Sequence, residues 1–110
     1  MARRRAKTAT GAAERMAGRM QVKVYATLRD LLGRRELDVE ANEGDTVRDV
    51  LRRLASNYPP LASKLWDHEE KLTGQVTILV NGRLLPFVGG PDAAIHPGDD
   101  LKLFPPIGGG

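Results

Sequence analysis

The chain has 110 residues, 41% hydrophobic and 28% charged, which fits one soluble domain with a single modest core. It has no cysteine, which excludes disulfides, thiolate nucleophiles and cysteine metal sites, and no apolar run long enough to span a membrane. The net charge of +3 is unevenly spread: residues 1–19 carry +5, so the remainder carries −2.

Residues 1–19 are a low-complexity arm of Ala, Arg, Gly and Thr with no apolar segment of the secretory type. It reads as an unstructured tail, as a product of start-codon choice upstream of Met20, or as a transit-like or phosphate-binding arm. The first two are preferred, because Met20 opens a strand pattern directly. The expected division is therefore a basic extension over 1–19 and one domain over 20–110. A cysteine-free chain without a signal segment fits the cytoplasm.

Gln21 to Ala26 alternates apolar and polar residues, the period of a half-buried strand, with Val22, Val24 and Ala26 facing the core. Leu28 to Gly33 reads as a helical turn stopped by glycine. Arg35 to Glu40 alternates again as a second strand, and Asn42 to Asp45 is loop chemistry. Thr46 is a suitable N-cap with Asp49 three residues on. Val47, Val50, Leu51, Leu54 and Ala55 then form one helical stripe. Arg48, Arg52 and Arg53 point away from it, as a nucleic-acid face or, preferred here, a solvated face. Tyr58-Pro59-Pro60 ends the helix.

Leu61, Leu65 and Trp66 suggest a short second helix before a charged loop, with Trp66 a packing anchor. Gln75 to Val80 is a β-branched strand. Asn81-Gly82 predicts a type I′ hairpin turn, in which both central residues need positive φ. Arg83 to Leu85 returns as a short strand, Pro86 to Asp99 is a long connection, and Asp100 to Phe104 is the last strand. One amphipathic helix on a mixed sheet is an α+β fold. The element order is that of the β-grasp (ubiquitin-like) arrangement, with the last strand expected beside the first and parallel to it.

No catalytic constellation is visible. His68 and His96 lack ligand spacing, so no metal is expected, and they read as surface loop residues. Gly89-Gly90 and the terminal glycines lack the Lys-Ser/Thr of a phosphate loop. The negative body and the lack of clustered aromatics argue against a nucleic-acid binder.

Four segments carry a resemblance. They are Val22 to Gly33, Gly44-Asp45-Thr46-Val47 into Leu51, Val80-Asn81-Gly82, and His96-Pro97-Gly98-Asp99-Asp100-Leu101-Lys102-Leu103-Phe104-Pro105-Pro106-Ile107-Gly108-Gly109-Gly110. With these the chain resembles the MoaD/ThiS family of ubiquitin-like sulfur carriers, which includes the small subunit of molybdopterin synthase and the small archaeal modifier proteins. The last segment is the most specific. The resemblance implies a carrier and not a catalyst. Its working group is the carboxylate of Gly110, adenylated by an E1-like enzyme that uses ATP, then thiocarboxylated from a sulfur donor. In the molybdopterin branch, favoured over the thiamine branch by Phe104-Pro105-Pro106, it gives sulfur to a pterin precursor in a larger partner subunit. The same tail serves modifiers joined to target-protein lysines, and the fold also serves interaction modules without tail chemistry. The chain itself is expected to bind no cofactor.

Gly108 and Gly109 suit a tail that threads a narrow channel, since they lack side chains and accept unusual dihedrals. Strand alternation places Lys102 and Phe104 outward when Leu101 and Leu103 face the core. It also leaves Leu79 and Tyr25 outward. Tyr25, Leu79 and Phe104, continued by Ile107, are expected to form an apolar patch that docks the activating enzyme. The competing expectation is that the Pro86–Asp99 loop covers Leu79 and Phe104.

Overall fold

The computed structural model describes residues 18–106. The leader up to residue 17, and Ile107 to Gly110, lie outside them. Gly18, the first described residue, accepts through its carbonyl from the Ala41 N–H at 2.7 Å.

Strand β1, Arg19–Val24, buries Met20, Val22 and Val24 on one face and exposes the alternate residues. Ala26 departs from the expected pattern. It is exposed and opens helix α1, Ala26–Leu32. Its φ of +54° turns the chain sharply at the strand end, so Leu28 and not Ala26 supplies the next buried side chain. Gly33, at φ +72°, ends α1 as expected, its N–H donating to the Arg29 carbonyl. Strand β2, Glu36–Glu40, pairs antiparallel with β1 and buries Leu37 and Val39.

Helix α2, Val47–Asn57, starts with the anticipated capping box. The Asp49 N–H donates to Thr46 Oγ1 at 3.2 Å, and the Thr46 N–H donates to the Asp49 carboxylate at 2.9 Å. Val47, Val50, Leu51 and Leu54 are buried, with Ala55 partly buried beside them. Pro59 and Pro60 do more than end this helix. They form the first turn of α3, Pro59–Leu65, where a missing N–H costs nothing. Leu61 and Leu65 then reach the core.

The helix arginines are not a free solvated face. Arg53 makes two hydrogen bonds to the Asp45 carboxylate and one to the Glu40 carbonyl. Arg48 pairs with Asp92 at 3.0 Å and Arg52 with Glu70 at 2.9 Å. Both lie over the Trp66 ring, 5.9 and 5.5 Å from its centroid. Trp66 thus packs against the core and faces two guanidinium groups.

Strand β3, Thr77–Val80, and strand β4, Arg83–Leu84, are joined by Asn81-Gly82 at φ +52° and +82°. Pairing of Val80 with Arg83 makes this the two-residue turn expected. Leu85 leaves the predicted strand and turns into the core, because a 3₁₀ turn begins there. The long connection is organised by two such turns, Leu85–Val88 and Gly90–Asp92. It is tied to the start of α2 by Val47 N–H to Ala93 O and Ile95 N–H to Asp45 O, both 3.0 Å. Strand β5, Leu101–Phe104, lies parallel to β1 and antiparallel to β3, giving the sheet order β2-β1-β5-β3-β4. The apolar inner face of the sheet and the helix stripes share one core.

Two stability measurements follow from these contacts. Thr46→Ala removes a cap and should cost about 1 kcal/mol in urea unfolding. The Arg53 guanidinium holds the Asp45 carboxyl below its ordinary range. A lowered carboxyl pKa stabilises the fold above the unfolded value, about 3.9, and that stabilisation is lost as pH falls through the folded value. Urea midpoints measured downward from about pH 5 should therefore fall less steeply in Asp45→Asn than in the parent.

Candidate functional site

The residues expected to carry the chemistry, Gly108, Gly109 and Gly110, and the patch residue Ile107, lie outside the described residues. The structure does fix the strand that leads to them. β5 is the central strand, with Leu101 and Leu103 fully buried. The chain leaves the sheet at Phe104 and passes into Pro105-Pro106. The chain bends at Pro105, and Pro105 and Pro106 line a groove with Thr27, Leu28, Leu31, Lys64 and Gln75; proline fixes φ near −65° and disfavours helix in the residue before it.

At this exit Tyr25 and Phe104 stack face to face, with ring centroids 4.4 Å apart and planes 3° from parallel. The contact follows from register. Val24 pairs with Leu103, and the Tyr25 N–H donates to the Leu103 carbonyl at 3.2 Å, so the two rings stand on adjacent strands on one face. Both are half-buried.

Leu79 is on the same outward face but not against the rings. Its partners across the sheet are Lys102 on β5 and Leu84 on β4, whereas Phe104 is opposite Thr77. The expected patch is therefore two lobes, the aromatic stack and the Leu79–Leu84 pair, with Thr77 and Lys102 between them. Leu79 is half-buried and Leu84 39% exposed, so neither is sealed under the Pro86–Asp99 connection.

Sequence reasoning missed Leu84. The signal was present, because a two-residue turn after inward-facing Val80 places Leu84 opposite Leu79. It also missed Leu31, 45% exposed on α1, which lines a groove at the strand exit with Thr27, Leu28, Lys64, Gln75, Pro105 and Pro106. Phe87, 76% exposed, stands in the first 3₁₀ turn.

The two histidines are elsewhere. His68 is exposed in the loop after α3, with only a 3.8 Å approach to Glu69. His96 lies at the opposite end of β5, its Nδ1 2.7 Å from Glu43, which raises its pKa above the ordinary imidazole value. Among the described residues no group of three His, Cys, Asp or Glu side chains could hold a metal ion, and no helix is long and apolar enough to cross a membrane. The described residues offer a half-buried apolar face beside the end of β5.

Comparison with known proteins agrees with this geometry. The ThiS family model matches residues 22–110. Small archaeal modifier protein 1 of Haloferax volcanii is 34% identical over 91 residues, covering 83% of this chain and all of that protein. Its crystal structure superposes with a TM-score of 0.72 over 84% of this chain. The sulfur carrier protein CysO of Mycobacterium tuberculosis is 36% identical over 69 residues, which is 61% of this chain and 74% of CysO. A structure described as a putative molybdopterin converting factor subunit 1 from Pyrococcus furiosus is 28% identical, with a TM-score of 0.62 over 81% of this chain and 98% of its own. On its fold and on these matches, the chain is a β-grasp protein of the ThiS family, whose relatives are small carriers and modifiers rather than catalysts.

Proposed function

We propose that this protein is a sulfur carrier whose reactive group is the carboxylate of Gly110, and that it serves as the small subunit of a molybdopterin synthase. The observation that carries the reading is the end of the central strand β5 at Phe104, beside a half-buried aromatic stack, followed in sequence by Pro105-Pro106 and Gly108-Gly109-Gly110.

A carboxylate is a poor electrophile and needs a leaving group. An E1-like enzyme would supply it by joining the carboxylate to AMP, with release of pyrophosphate from ATP. A sulfur donor then displaces AMP, leaving a thiocarboxylate. In this reading the protein contributes the reacting group and its delivery. ATP and the catalytic side chains belong to the partner. Tyr25 and Phe104 dock the partner next to the strand exit, while Gly108 and Gly109 pass through its channel. The pterin precursor as sulfur acceptor is supported by the likeness to the Pyrococcus protein, while Phe104-Pro105-Pro106 favours it over the thiamine branch alone, since the archaeal modifiers share that feature.

A second reading has its own support in the likeness to the Haloferax modifier. There the activated Gly110 carboxyl passes to the ε-amine of a target lysine, forming an amide as AMP leaves. The two readings share activation and differ only in the acceptor.

Incubation with ATP, an E1-like enzyme and a sulfur donor should raise the intact mass by replacement of one oxygen with sulfur. Deleting Gly110 should abolish the gain. An unchanged mass, with the enzyme active on another carrier, would remove the carrier reading. Lysine conjugates on immunoblots would favour the modifier. Phe104→Ala should weaken binding of the activating enzyme at least about tenfold, as loss of a partly buried aromatic anchor does. Unchanged affinity would rule out the docking role.

A further inference from the structure

The end of the sheet from which β5 exits carries cations that no acid engages among the described residues. Lys23, Arg29 and Arg35 are all exposed and line one cleft with Tyr25 and Glu36. Among the described residues none of the three has a carboxylate within 4 Å. Arg48, Arg52, Arg53 and Lys102 are each paired with an acid, whereas Arg34, Lys64 and Arg83 have no such pair among the described residues; what sets the cleft apart is that it gathers three unpaired cations in one place. Glu36 is the one acid lining the cleft, against three cations.

The contrast follows from topology. β1 and β5 run parallel, so their C-terminal ends and the α1 connection share one end of the sheet. The opposite end receives the β2–α2 loop and the loop before β5, which supply Glu43, Asp45, Asp99 and Asp100. The chain's mildly acidic body thus has a locally cationic pole where the tail emerges.

We propose that Lys23, Arg29 and Arg35 are an electrostatic docking surface for an acidic protein surface that flanks the tail-accepting channel of the activating enzyme. The inference rests on the carrier reading above. Continuity supports it, since Tyr25 both lines the cationic cleft and stacks on Phe104. A partner seated on the aromatic stack would necessarily meet these charges. A protein is favoured over a small anion because the three cations are exposed, with nothing in the cleft to strip water from a phosphate.

Exposed cations steer encounters more than they hold complexes, so the effect belongs in the association rate and should be screened by salt. The test is stopped-flow association of the full chain with its E1-like adenylating enzyme over a salt series. The parent should associate more slowly as salt rises. The triple variant Lys23→Glu, Arg29→Glu, Arg35→Glu should associate at least about tenfold more slowly at low salt and lose that decline. Its dissociation rate should change by less than about threefold. A triple glutamine variant, free of introduced repulsion, should fall between and guards against misfolding of the glutamate form.

Equal association rates and equal salt dependence in parent and variants would overturn the proposal. Saturable binding of ATP alone, lost in the glutamine variant, would overturn it in favour of a nucleotide site. If the enzyme binds the parent but adds no sulfur, the carrier reading fails while the rate comparison still decides the docking surface. If it does not bind the parent, both fail.

Discussion

The parallel pairing of β5 with β1 is the constraint on which the rest depends. Val22 opposite Leu101 and Val24 opposite Leu103 put four buried aliphatic side chains at the centre of the sheet. Parallel neighbours cannot be joined by a hairpin, so the intervening chain must cross over, and here it supplies α2, α3 and the β3–β4 hairpin. The arrangement buries the last strand most deeply, although termini are the usual sites of fraying. A force or a channel acting on residues beyond Phe104 therefore pulls against the middle of the core. That suits the proposed role, in which the tail is presented while the body stays folded.

The same pairing brings Tyr25 and Phe104 together. Each ring alone would be an exposed aromatic on a strand end. Stacked on adjacent parallel strands, they form a rigid step beside the exit, and two rotatable side-chain angles per ring leave little entropy to lose on docking. Lys102 and Thr77 interrupt the apolar surface before Leu79 and Leu84. The interruption limits the size of any continuous apolar patch, which lowers the hazard of self-association for an unpartnered chain.

Much of the fold was legible because local and global signals agree. The capping box at Thr46, the stop at Gly33 and the turn at Asn81-Gly82 each satisfy one local rule and sit where the hydrophobic pattern changes period. The misreadings share a cause as well. Ala26 adopts a left-handed conformation that its residue type does not announce. Leu85 turns inward because the connection packs back on the start of α2. Both are decided by tertiary contacts that no short window contains. The outward placement of Tyr25, Leu79 and Phe104 followed from alternation alone. Their division into two lobes needed the cross-strand register.

Charge placement separates what the fold uses for itself from what it leaves free. The α2 arginines sit among acids and over Trp66, so their charge is spent inside the domain, tying the helix to its flanking loops. A sequence count cannot distinguish these arginines from Arg29 or Arg35. The distinction arises because α2 packs beside segments that carry Asp45, Glu70 and Asp92, whereas α1 and the β1–β2 connection lie away from them. Unpaired like charges next to one another cost the folded state a little self-repulsion. Relieving that repulsion with an acidic partner favours the complex over the free chain, and it does so at the end of the sheet where the tail departs.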